Sequence, residues 1–102
     1  MARKNKSSNY DKYLIESVKD PEEAAAYINA AIEEEDDPAA LLIALRPVVE
    51  AQNISKLAMK AGLNRVTLYR ILAKDGNPRL VSLAALLAAM GLKLKVEQKM
   101  AG

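Results

Sequence analysis

The residues best suited to chemistry in this chain lie in the segment Asn64-Arg65-Val66-Thr67-Leu68-Tyr69-Arg70-Ile71. An arginine guanidinium forks onto two acceptors at fixed spacing, which matches the O6 and N7 edge of guanine, while a valine side chain or threonine methyl matches the methyl of thymine. A helix that buries Leu68, Ile71 and Leu72 leaves Arg65, Val66, Thr67, Tyr69 and Arg70 on the outside. These five are the candidate base-reading residues, with the first three at the helix end that enters a major groove. Tyr69 suits stacking or a hydrogen bond to phosphate. The competing reading is structural: arginines on a solvated face, Val66 and Tyr69 partly in the core, and Thr67 reinforcing a cap at Asn64.

Phosphate holding falls to the backbone amides and side chains around a second helix start, Asn53, Ser55 and Lys56, to the cap residue Asn64, and beyond the reading helix to Asn77 and Arg79. Capping and turn formation explain Asn53 and Asn77 equally well. Other chemistries lack their parts. The chain has no Cys and no His, which removes the usual zinc sites, thiol nucleophiles and imidazole bases. The acids Glu33, Glu34, Glu35, Asp36 and Asp37 are consecutive, so they splay around a helix instead of forming a dyad, and they lack the alternation and glycine of a calcium loop. Neither an enzyme nor a metal, cofactor or small-molecule substrate is expected.

These residues need helices to hold them. The chain has 102 residues, enough for one modest core, and its apolar half is Ala, Leu, Ile and Val with no Phe or Trp. A polar, basic tail, Met1 to Asn9, precedes Tyr10, Leu14 and Val18, which recur every four positions with Tyr13 and Ile15 beside them, as a short helix or packed arm. Asp20-Pro21-Glu22-Glu23 starts a helix with the stripe Ala24, Tyr27, Ile28, Ala31 and Ile32, and Asp37-Pro38 starts another with Leu41, Leu42, Leu45, Val48 and Val49 inward. Pro47 is expected to bend that helix, since it cannot donate to the carbonyl of Ile43. Two short helices capped by Asn53 and Asn64 meet at Gly62, with Leu57, Ala58, Leu63, Leu68, Ile71 and Leu72 forming their seam. After the loop Lys74 to Pro78, the apolar run from Leu80 to Met90 makes a last helix stopped by Gly91.

The run Leu80 to Leu92 is broken by Ser82 and Gly91 and falls short of the roughly 20 residues that cross a bilayer. With no secretory leader and no Cys, a cytoplasmic location is expected. Leu92, Leu94 and Val96 alternate with Lys93, Lys95 and Glu97 at the period of a half-buried strand. A lone apolar strand invites a partner, which makes these three residues, with the last helix, the candidate dimerisation surface. Pairing inside the chain, near Leu14, is the other possibility. Charge is segregated: residues 1–13 carry four basic and one acidic side chain, residues 14–37 one basic and nine acidic, and residues 38–102 ten basic and three acidic. A basic domain of this size suits a phosphate-rich partner, and solvated surface charge is the plain alternative.

Five short stretches together resemble the addiction-module antidote proteins: Ser55-Lys56-Leu57-Ala58, Gly62-Leu63-Asn64-Arg65, Thr67-Leu68-Tyr69, Gly76-Asn77-Pro78-Arg79-Leu80 and Met90-Gly91-Leu92. Upstream, Leu14-Ile15-Glu16-Ser17 and Asp20-Pro21-Glu22-Glu23-Ala24-Ala25-Ala26-Tyr27 extend the resemblance, which spans roughly Tyr10 to Glu97. Ile54 departs from the polar residue that wider relatives place there, and Pro47 disturbs the helix ahead of it. The resemblance implies a HigA-like antitoxin with a Cro/C1-type (Xre-like) helix-turn-helix. Its expected fold is all-α: a compact five-helix lambda-repressor-like DNA-binding domain over residues 38–91, an acidic helical extension over 10–37, and a short β-strand and tail over 92–102. It further implies a homodimer that binds double-stranded operator DNA, an inverted repeat, to repress its own operon, and that neutralises a RelE-like toxin. A helix-turn-helix that has lost specific DNA binding and only holds a partner protein is the alternative.

Overall fold

The computed structural model of the chain describes residues 12–34, 37–73 and 76–100. The expected tail, Met1 to Asn9, lies outside the described residues, as do Tyr10, Glu35, Asp36, Lys74 and Asp75. Six helices follow one another among the described residues: α1 over residues 12–17, α2 Pro21–Glu34, α3 Ala39–Glu50, α4 Ile54–Ala61, α5 Arg65–Ile71 and α6 Leu80–Ala89. None is long and apolar enough to cross a membrane.

The helix starts obey local chemistry. The carbonyl of Asp20 accepts from the amide of Ala24 at 2.9 Å, with Pro21 in the first helical position, where a missing N–H costs nothing. Asp37 opens α3 with its carboxylate, which accepts from the amide of Ala39 at 3.0 Å, while Pro38 already has helical dihedral angles. α3 continues as one helix through Pro47. The proline strips the Ile43 carbonyl of its donor, and Ile43 is 62% exposed, so that side of the helix is open to water.

Burial follows the apolar stripes. Val18 after α1, Ala24 and Ile28 of α2, Ala44, Leu45, Val48 and Val49 of α3, Leu57 and Ala58 of α4, Leu68 and Ile71 of α5, and Leu83, Leu86 and Leu87 of α6 with Met90 behind it form one core cluster. Leu45, Leu68 and Leu86 are fully buried, and each contributes about 1.5–3 kcal/mol relative to exposure. α2 packs on α3, while α4 packs on both α5 and α6.

The all-α expectation holds, but two of its details are corrected. Residues 38–91 carry four helices, α3 to α6, not five; the acidic helix α2, as its stripe implied, joins the same core through Ala24 and Ile28. The C-terminal strand is absent: residues 92–100 have no regular structure, and no strand occurs among the described residues. The alternation of Leu92, Leu94 and Val96 has a different basis. The Leu92 amide donates to the carbonyl of Leu87 at 2.8 Å and Gly91 to that of Ala88 at 3.0 Å, which closes the end of α6 and packs Leu92 on the core. Leu94 and Val96 are then exposed, Val96 by 96%, with no neighbouring strand to receive them.

Candidate nucleic-acid interface

The pair α4 and α5 is built by two asparagine caps and one glycine turn. Asn53 and Asn64 both have extended backbones, and their side-chain oxygens accept from the amides of Lys56 at 3.0 Å and Thr67 at 2.7 Å. Between the helices Gly62 takes φ 70° and ψ 28°, the left-handed region where a side chain is strained. That conformation lets the Leu63 amide reach the carbonyl of Ala58 at 2.9 Å, so α4 ends sharply and α5 begins two residues later. Leu57, Ala58, Leu68 and Ile71 face inward, and Leu63 and Leu72 pack against them half-buried.

What faces outward is basic and apolar by turns. On α5, Arg65, Val66, Tyr69 and Arg70 are exposed, Val66 by 63% and Tyr69 by 56%, while Thr67 is half-buried beside its cap. On α4, Ser55, Lys56, Met59 and Lys60 are exposed, and Asn53 stands at its head. Val66 and Tyr69 are therefore not absorbed by the core. A guanidinium nitrogen of Arg65, Nη2, donates to the hydroxyl oxygen of Ser55 at 3.0 Å, tying together the first turns of the two helices.

Behind α5 a hollow of about 730 Å³ opens between its inner edge and the loop that leads to α6. Leu63 and Ile71 line it together with Thr67, Arg70, Asn77, Arg79 and Ser82. Two guanidinium groups and three neutral hydrogen-bonding side chains, with no carboxylate among the described lining residues, make a surface suited to an anionic oxygen. Asn77 and Arg79 thus share one concavity with Arg70, whereas Asn53, Ser55, Lys56, Asn64 and Arg65 gather at the other end of the pair. Of the residues read as a dimerisation surface, Leu92 packs at the core margin, while Leu94 and Val96 are exposed.

Sequence reasoning missed Arg46. This half-buried residue of α3 donates from Nε to the carbonyl of Leu72 at 2.8 Å, holding the last turn of α5 where carbonyls have no helical partner and the dipole is negative. An arginine inside an otherwise apolar helix was the available signal. Met59 and Lys60 were also missed, although a position-by-position reading of α4 puts both outside.

Fold and site together define a small all-helical domain that presents two short helices and their basic outer face. The chain belongs to the family described as "probable addiction module antidote protein", whose profile matches residues 7–98. A Haemophilus influenzae protein described as "uncharacterized protein" is 32% identical over 85 residues, covering 83% of this chain and 87% of its own length. No solved structure matches the chain.

Proposed function

We propose that this protein is the antidote of an addiction module, a HigA-like antitoxin that binds operator DNA through an Xre-like helix-turn-helix, α4–Gly62–α5, and represses its own operon in the cytoplasm. The observation that carries the reading is the outer face of α5, where Arg65, Val66, Tyr69 and Arg70 are exposed while Leu68 and Ile71 make the packing contacts. In this reading Arg65 and Arg70 fork onto guanines, Val66 and the Thr67 methyl meet thymine methyls, and Tyr69 stacks or reaches a phosphate. The sugar-phosphate backbone is held by Asn53, Lys56 and Asn64 on one side and by Asn77 and Arg79 on the other. A homodimer supplies two reading helices, and among the exposed apolar residues those of the C-terminal part that suit it are Leu80 and Val81 on α6 with Leu94 and Val96 beyond.

The family description implies a toxin partner, and the resemblance read from the sequence extends this to a RelE-like toxin. The exposed acids Glu22, Glu23, Glu33 and Glu34 of α2 offer a basic toxin a surface of opposite charge.

Fluorescence-anisotropy titration of the DNA upstream of its gene against scrambled duplex tests the DNA-binding half. The wild-type chain should prefer its own upstream DNA, and Arg65→Ala/Arg70→Ala should lose that preference at a cost of about 1–3 kcal/mol per bidentate contact. Equal binding of both duplexes by the wild type would leave a protein-interaction module in its place.

A further inference from the structure

We infer that Ser55 is a positioning residue: it sets the direction of the Arg65 guanidinium and so helps determine which base is read, an inference that rests on the DNA-binding reading above. Arg65 is the first residue of α5 and is exposed, so an unrestrained side chain there would sample many rotamers. Instead its Nη2 donates to Ser55 Oγ at 3.0 Å, a contact between residues ten positions apart that crosses from α5 to the second residue of α4. The bond engages one nitrogen of the fork and leaves the rest of the planar group to face outward in a narrowed range of directions. Pre-ordering of this kind lowers the entropic cost of a bidentate base contact and raises the penalty for a base that does not match.

The anchor is itself fixed. Asn53 caps the Lys56 amide and so holds the first turn of α4, while Asn64 caps the Thr67 amide and holds that of α5. Both ends of the Ser55–Arg65 link therefore sit on rigid backbone. This role differs from a phosphate contact by Ser55, because a phosphate contact adds to affinity for every duplex whereas a positioning bond adds only to preference.

The experiment selects duplexes from a randomised pool with the full-length wild-type chain and then compares the selected duplex with a scrambled one. Ser55→Ala should lower the selected-to-scrambled affinity ratio about two- to tenfold, Ser55→Thr should restore most of it, and Arg65→Ala should lower it at least as far as Ser55→Ala. The double variant Ser55→Ala/Arg65→Ala should be no worse than Arg65→Ala alone, because the serine acts through the arginine. Losses that multiply in the double variant, or a Ser55→Ala loss that falls equally on both duplexes, overturn the inference and return Ser55 to the phosphate-holding set. A wild-type chain that enriches no sequence overturns the DNA-binding reading and this inference with it. Circular dichroism of Ser55→Ala, expected to match the wild type, separates a positioning effect from misfolding.

Discussion

At the scale of single residues, the interface rests on a few side chains whose backbone duties are separable from their outward ones. Asn64 is the clearest case, since its carboxamide oxygen accepts from the Thr67 amide at 2.7 Å. Asn64→Ala should therefore lower stability by about 0.5–2 kcal/mol in urea denaturation, whereas Asn64→Ser or Asn64→Asp should recover most of the loss. Gly76 is constrained by close approach: a Cβ built there would lie 2.6 Å from the backbone carbonyl oxygen of Ile71. Gly76→Ala should shift the loop that carries Asn77 and Arg79 and lower the thermal midpoint, a change that differential scanning fluorimetry reads directly. Four of the five residues read as outward on α5 and both caps were legible in the sequence because asparagine before a helix and the period of 3.6 are strong local signals; Thr67 is half-buried instead. The Ser55–Arg65 bond was not, because it depends on how two helices cross and no spacing rule encodes that.

At the scale of elements, the alternation in Leu92, Leu94 and Val96 suggested a strand, yet a strand requires a partner edge and none is at hand among the described residues. Closure of α6 by the Leu92 amide uses the first of the three residues, and exposure of the other two follows. Val96→Ser should accordingly leave the stability of the monomer, measured at dilutions that dissociate any dimer, within about 0.5 kcal/mol of wild type, while Leu87→Ala, 4% exposed in the core, should cost about 2–5 kcal/mol. The order of α4, α5 and α6 was legible from caps, glycines and apolar runs. The link from α3 to α5 through Arg46 was not, since a charged side chain in an apolar helix does not announce which carbonyl it will reach. Arg46→Met keeps an unbranched apolar stem and removes the charged donor, so a loss of about 1.5–3 kcal/mol in chemical denaturation is expected, chiefly from the hydrogen bond to Leu72.

At the scale of the whole molecule, charge and fold divide the work. Residues 14–37 carry nine acids against one base, and residues 38–102 ten bases against three acids. The sole base of the acidic segment, Lys19, is paired with Glu16 at 3.2 Å, an exposed pair of little energetic weight. That division was fully visible in the sequence. The way α2 joins the core through Ala24 and Ile28 was half visible: the stripe could be read, but not the surface it meets. The polar partition leads to the most direct test, an amide chemical-shift map of the 15N-labelled chain titrated with the duplex from upstream of its gene. Shifts concentrated at residues 53–56, 64–70 and 76–80, with α2 unmoved, are the result the account predicts. Shifts centred on α2, or an unchanged spectrum at saturating duplex, would contradict the claim that the α4–α5 face reads DNA.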